Sequence, residues 1–459
     1  MFETDRRSFL KIGAMALGAN MLNNCPVKAM QNSNTPKSKQ TKLFTVLFPI
    51  APSGDDSRFI PLSNEEIILR LKKECTGVDF VVRDLTKSVK LPDVLNEIKD
   101  LKKQNYDGVI VYGWPRDYEL LRTGLPTINV SIVNDFMNVP FPIYYENKVV
   151  PAFMDPWGFS SSSEIPVRMH KDLVGKIKLI QALGQLKESK ILTVTDSPFV
   201  NVIYGDVLKN PPEYYNEKIL DAIFNTLGVK VTKIGSTEVC DDPEIKKLWF
   251  EKNKKANEIA GKWIKNADKM INTIEEEVVK SAKCYLAMKW LMEKYQVTAM
   301  AFHIRALKRD PKPEDFVYPA LATSEFQLEG IVAKCQSHLN IVISEMVFQL
   351  AYGIPSMLGD FSVDLYNNTS IIQHCEGPWN PWGGDKTVPY ILTDHRERRV
   401  RGRNQPGVGA ASWILYPPDE DVTIWQIDVL RKEILFHTGK TIPIHTEESP
   451  YQNHFWEMM

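Results

Sequence analysis

The chain is short of the features that would assign it quickly. No apolar run approaches the roughly 20 residues that span a bilayer, so no membrane insertion is expected. Positive charge is not in excess. A net charge of −1 argues against a nucleic-acid partner, because phosphate binding needs concentrated Lys and Arg. No Gly-x-Gly-x-x-Gly follows any strand-like run, which excludes a dinucleotide fingerprint. Cysteine is sparse: six residues, irregularly spaced and without a Cys-x-x-Cys pair, give no disulfide framework. Buried thiols are the default expectation for them. There is no internal repeat and no low-complexity tract.

What remains is an ordinary globular composition, 43% hydrophobic and 25% charged, over 459 residues, enough for two or three domains. Residues 1–29 read as a leader. Thr4-Asp-Arg-Arg-Ser-Phe-Leu-Lys11 has the form of a twin-arginine export signal, Ile12–Leu22 supplies a short apolar core, and Val27-Lys-Ala29 is the candidate cleavage site. This predicts an exported, periplasmic protein. Residues 30–42 read as a tether.

From residue 43 strands alternate with helices. Leu43–Phe48, Val78–Arg83, Gly108–Tyr112 and Thr127–Ile132 are apolar strand-like runs, separated by amphipathic stretches over Asn64–Lys73 and Pro92–Lys103, with Ser63 as an N-cap. A second series opens near Ile165, with strands at Lys190–Thr195 and Val229–Ile234. Asp242–Tyr295 reads as helical, broken near Asn266, with Ile259, Trp263, Met270, Ile274 and Val278 on its apolar face. After Pro319 the pattern shifts to short β-like runs, apart from a helix over Asn340–Tyr352. The predicted fold is α/β. Two Rossmann-like parallel-sheet domains (43–160 and 161–318) are followed by a β-rich, barrel-like C-terminal domain (319–459).

Between Val297 and Asp385, polar residues follow short apolar runs several times: His303 after Val297–Phe302, Glu329 in Leu328-Glu-Gly-Ile-Val-Ala-Lys-Cys335, then Gln336 and His338. Gly353–Asp360 forms a turn, and Asn368-Thr-Ser-Ile-Ile-Gln-His-Cys375 ends in His374 ahead of Glu376. Strand ends and loops carrying such groups are how buried polar sites are assembled. Trp379-Asn-Pro-Trp-Gly-Gly-Asp385 adds two aromatics, Trp379 and Trp382, of the kind that line sugar sites.

These segments resemble, in order and spacing, the catalytic half of the L-fucose/L-arabinose isomerase family. The resemblance implies aldose–ketose isomerisation of a pentose or 6-deoxyhexose. Such chemistry moves a proton or hydride between adjacent carbons, with a divalent metal polarising the oxygens and a carboxylate shuttling the proton. It implies Mn2+ or another divalent metal, a small sugar ligand, and a homo-oligomer, trimer or hexamer. On that basis Glu329 is the candidate catalytic carboxylate. His303, His338, His374 and Glu376 are candidate metal ligands, and Gln336, Arg305, Trp379 and Trp382 candidate substrate contacts. The sequence departs from the family pattern at three ligand positions. Ala306 and His338 stand where the resemblance implies glutamate and aspartate, and the strands that would carry a terminal histidine do not precede Met459. Three readings stay open: a rebuilt isomerase site, a non-catalytic carbohydrate-binding relative that has lost the metal ligands, or a sequence that stops short of its final strands.

Overall fold

Parallel strand pairing organises both halves of the chain in this computed structural model. The residues it describes are 40–48, 63–113, 117–131, 149–153, 165–196, 218–302, 317–394, 409–414, 416–442 and 457–458. Residues 1–29, read in the sequence as an export leader with Arg6 and Arg7, and the candidates His303 and Arg305 lie outside them. The chain divides into two compact units that meet in sequence between Gln185 and Leu186.

The first unit contains β1 (Thr41–Leu47), α1 (Asn64–Glu74), β2 (Val78–Asp84), α2 (Leu91–Ile98), β3 (Gly108–Tyr112), β4 (Thr127–Ser131), β5 (Val149–Phe153) and most of α3 (Ile165–Glu188). Its five strands lie in the order β2-β1-β3-β4-β5, every pair parallel. Successive residues of a strand face opposite sides. Leu43 and Ile110 accordingly pack with Ile67 and Leu71 of α1 and Ile177 of α3, while Phe44, Val46 and Val109 pack with Val94 and Ile98 of α2. Helices therefore cover both faces, as the near-continuous apolar runs require. Ser63 caps α1 as expected: its Oγ accepts the Glu66 N–H at 3.3 Å, and Glu66 Oε2 accepts the Ser63 N–H at 2.9 Å.

The second unit repeats the winding. β6 (Lys190–Val194), α4 (Lys218–Leu227) and β7 (Lys230–Ile234) lead into α5 (Ser236–Cys240), α6 (Pro243–Phe250), α7 (Lys254–Asn266), β8 (Lys269–Ile271) and α8 (Glu275–Tyr295). They are followed by β9 (Ala299–Phe302), α9 (Ala320–Leu328), β10 (Val332–Lys334) and α10 (Leu339–Tyr352). The strands lie parallel in the order β7-β6-β9-β10. Leu192, Met300 and Ala333 face Trp263, Val278 and Phe326 on one side; Ile191, Ala301 and Val332 face Ile223, Val342 and Met346 on the other.

Three expectations change. The boundary expected at 160/161 falls ahead of α3, whose Leu173, Val174, Ile177 and Ile180 are buried in the first unit's core. The one expected at 318/319 falls inside the second unit, because β10 pairs with β9. The break near Asn266 holds a strand: Met270 lies in β8, and Ile274, 56% exposed, precedes α8 instead of lining a helix. No helix of the described residues is long and apolar enough to cross a membrane.

The late strands are β11 (Asp360–Asp364), β12 (Thr369–Gln373), β13 (Tyr390–Asp394), β14 (Ala410–Ile414), β15 (Asp421–Asp428), β16 (Glu433–Lys440) and β17 (Glu457–Met458). They do not close into a barrel among the described residues. They form three small sheets, β11-β12-β17, β14-β13-β8 and the β15-β16 hairpin. Two of these sheets rest on the α/β core. β13 pairs with β8, and the hairpin lies on α10, where Trp425 meets Phe348 edge-on at 4.2 Å and the Ile427 N–H donates to Ser344 Oγ at 2.8 Å.

Candidate functional site

The polar centre of the second unit forms where β10 ends. Lys334, the last residue of that strand, is 1% exposed. Its Nζ lies 2.6 Å from Glu345 Oε2 on α10, 3.3 Å from Glu376 Oε1 just beyond β12, and donates to the Ser356 carbonyl at 2.8 Å. Glu345 Oε1 also accepts the Ser356 N–H at 3.2 Å, and Glu376 Oε2 accepts the Cys335 N–H at 2.9 Å. Two acids and one base are thus buried together, an arrangement that stands only when the lone pairs and protons are taken up. Burial pushes the Glu345 carboxyl up to about 6 against the pull of Lys334. For Lys334 burial acts downward, and the two carboxylates outweigh it, holding the ammonium above its ordinary value.

The next residue starts a second cluster. Cys335 Sγ lies 3.5 Å from Cys375 Sγ and 3.7 Å from His374 Nδ1, and Cys375 Sγ lies 3.9 Å from the same nitrogen. Among the described residues this is where three or more His, Cys, Asp or Glu side chains converge at metal-ligand separation. Burial, reinforced by Cys375, pushes the Cys335 thiol well up.

The loop that begins at Cys335 reaches past β9 and is anchored to β6. Ser337 Oγ accepts from Thr193 Oγ1 at 3.0 Å and donates to the Val194 carbonyl at 3.4 Å. The loop therefore sits outside the carboxyl ends of the strands. In sheets wound this way, ligands bind on that side. His338 opens α10, is 7% exposed, and leaves Nδ1 without a partner; burial lowers its ring to about 4, so it is neutral at ordinary pH.

The sequence candidates are distributed unevenly. His374 belongs to the thiol cluster; His338 lies three residues beyond Cys335 but is not one of the converging ligands. Glu376 is held by Lys334 and the Cys335 N–H, which makes it a positioning carboxylate. Glu329 ends α9 and accepts from Tyr285 Oη and Lys289 Nζ, at a partly exposed position. Gln336 is half-buried in the anchored loop. Trp379 is 2% exposed, stacked on Tyr390 at 4.6 Å and edge-on to Trp263, so neither face is open to a sugar. Trp382 has the Lys386 ammonium 3.8 Å over its ring and donates to Glu420. The implied manganese set does not fit these residues: hard-metal carboxylates are absent from the cluster, and the donors present are two thiols and an imidazole.

Sequence reasoning passed over Lys334, Glu345, Cys335 and Cys375. A signal was there for the first two. Lys334 ends an apolar strand, and Glu345 sits inside Ile341–Met346 on a helix that is apolar almost all round, so each is a charge where periodicity demands burial.

A separate cleft of about 420 Å³ opens in the same unit, lined by Lys262, Trp263, Glu325, Trp379, Thr387 and Tyr390 among others. Glu325, 6% exposed, accepts from Trp263 Nε1 at 2.8 Å and Lys262 Nζ at 3.1 Å; Trp379 Nε1 is buried without a partner.

No family model and no curated protein matches the chain. Among solved structures, a two-component response regulator/GGDEF domain protein is 12% identical, covering 68% of this chain and 98% of its own, at a TM-score of 0.25. A periplasmic solute-binding protein from Actinobacillus succinogenes 130z with bound D-allose is 11% identical, covering 68% and 91%, at 0.18. A 5-methylthioribose transporter solute-binding protein from Thermotoga lettingae TMO is 15% identical, covering 57% and 69%, at 0.16. Likenesses this low establish neither a family nor a ligand for the chain.

Proposed function

We propose that this protein is an exported carbohydrate-binding relative of the fucose/arabinose isomerases that holds a small sugar without isomerising it. One observation carries the reading. Every carboxylate that the isomerase-like stretch supplied as a candidate is already committed: Glu376 to Lys334 and the Cys335 N–H, Glu329 to Tyr285 and Lys289. A proton shuttle needs a carboxylate within hydrogen-bond reach of the substrate carbons, free to take and return a proton.

The cleft beside Glu325 is the sugar site in this reading. Its volume lies within the range of small-ligand pockets, and its walls combine apolar surface with a few polar groups. The Glu325 carboxylate has lone pairs beyond the two it uses, so it can accept sugar hydroxyls, while Lys262, more than half exposed, supplies a donor. The trimer or hexamer implied by the resemblance belongs to the same proposal.

Trp263 and Trp379 line the cleft, so tryptophan fluorescence reports its occupancy. Titration with pentoses and 6-deoxyhexoses should give a saturable change with at least one sugar and no ketose product, with or without added Mn2+. Glu325→Gln should weaken that binding about tenfold, equivalent to about 1.4 kcal/mol. Formation of a ketose would replace binding by catalysis. A flat response to every sugar, in fluorescence and melting temperature alike, would remove the carbohydrate reading.

A further inference from the structure

We propose that Cys335, His374 and Cys375 form a three-ligand site for a soft divalent metal, zinc being the natural occupant, with the fourth coordination position left to water or an exogenous ligand. The inference stands apart from the sugar reading and uses none of the residues of the cleft.

The geometry is the reason. Zn–S bonds of about 2.3 Å and Zn–N bonds of about 2.05 Å, arranged tetrahedrally, set two sulfurs about 3.8 Å apart and sulfur to nitrogen about 3.6 Å apart. The triangle formed by Cys335 Sγ, Cys375 Sγ and His374 Nδ1 has sides of 3.5, 3.7 and 3.9 Å. All three edges lie within about 0.3 Å of those expected for one shared ion; Cys335 Sγ is almost equally near His374 Nε2, at 3.8 Å, so the imidazole has to turn to aim one nitrogen at the ion. The donor set selects the ion: thiolate and imidazole together favour zinc over the manganese or magnesium that carboxylates would hold.

The surroundings are built to hold the triangle. Cys335 is fully buried and His374 nearly so, while Cys375 is partly exposed, giving the cluster one side from which an ion and a fourth ligand can enter. The Glu376 carboxylate fixes the backbone of Cys335 through its N–H and is itself held by Lys334, the kind of outer support that orients metal ligands. Cys335 leaves the end of β10, and His374 and Cys375 leave the end of β12, so the ligands come from two anchored strands. Binding would release the thiol protons, Zn2+ and two thiolates leaving the site neutral.

The experiment uses the full chain purified under reducing conditions. Elemental analysis should find about one zinc per chain. After removal of the zinc, cobalt should restore a visible spectrum of tetrahedral type with a thiolate-to-cobalt charge-transfer band. That band should fall to about half in Cys375→Ser, and zinc affinity should drop at least tenfold in His374→Ala. Cys284→Ser, at a buried thiol outside the cluster, should change neither. Cys335→Ser puts a hydroxyl at a fully buried position, so the wild-type chain supplies the second readout: zinc should protect Cys335 and Cys375 from alkylation and leave Cys75 and Cys284 at their metal-free rates. Absence of the charge-transfer band, equal alkylation with and without zinc, or a Cys335–Cys375 disulfide whose reduction yields no zinc-binding form would each overturn the proposal.

Discussion

The two units are wound alike and filled differently. In the first, the described strands run β2-β1-β3-β4-β5, and the charged side chain buried among them is Asp107, which accepts the Lys42 N–H at 2.9 Å. In the second the order β7-β6-β9-β10 repeats the first four positions of that pattern, yet the interior holds Lys334, Glu345 and Glu376 as well as His338 and His374. Among the described residues of the first unit the same parallel sheet and its covering helices hold no such cluster, so the sheet itself does not require one. Burying ions is costly, and removing one partner costs more than never having had the pair. The second unit carries that cost at the carboxyl ends of its strands, where sheets of this winding place their ligands.

The comparison breaks most visibly at Lys334. Lys334→Met leaves Glu345 and Glu376 without their cation, and the second unit should lose about 3–5 kcal/mol in urea unfolding. The matching change in the first unit, Asp107→Asn, should cost no more than about 1.5–3 kcal/mol, the scale of one charge-assisted hydrogen bond. The Lys334→Met deficit should shrink toward pH 5, since Glu345, already raised to about 6, then takes up a proton. Equal losses for the two substitutions would mean that the buried charges of the second unit are no more than an ordinary polar contact.

The first unit was the more legible because its signals are local. Apolar runs marked β1 to β4, and Ser63 ahead of an acidic first turn marked α1. β8 hid inside a helical pattern because Lys-Met-Ile is too short to show a period, and it is a strand only because β13 lies beside it. The candidate site was legible in part for the same reason. His374 and Glu376 stood out as polar residues after an apolar run. Cys335 and Cys375 lie 40 residues apart, and only the folding of β10 against the turn beyond β12 brings their sulfurs to 3.5 Å. Glu329 looked equally promising in sequence, but a tyrosine and a lysine on α8 occupy it.

His338 sharpens the contrast through pH. Its ring titrates at about 4 when buried, against an ordinary value of 6.5 in the unfolded chain. Between those values the unfolded state binds more protons, so the stability His338 contributes is complete above 6.5 and is lost as pH falls toward 4. His338→Gln should therefore flatten the acid limb, recovering about 2–3 kcal/mol at pH 4.5 relative to the parent's own loss from pH 7. Glu345 acts in the opposite sense, its raised carboxyl favouring the folded state below 4.5 and losing that advantage as pH rises through 6. It is present in both proteins, so the difference between their melting temperatures across pH isolates His338. Parallel profiles would show that the ring is solvated after all.

The smallest effect belongs to the first unit and tests whether its stability is as local as its sequence signals. Ser63→Ala removes the acceptor for the Glu66 N–H and should cost about 1 kcal/mol by urea unfolding, the ordinary worth of a helix cap. The reciprocal bond, from the Ser63 N–H to Glu66, holds the Glu66 carboxyl below its usual range, with the Ser63 hydroxyl adding to the effect. A lowered carboxyl contributes above pH 4.5 and loses that contribution as pH falls. A Glu66→Gln variant should accordingly differ from the parent at pH 7 and converge on it in acid. If Ser63→Ala instead matched Lys334→Met, one exposed cap would outweigh a buried ion triad, and the contrast between a locally specified first unit and a second unit organised around its buried site would fail.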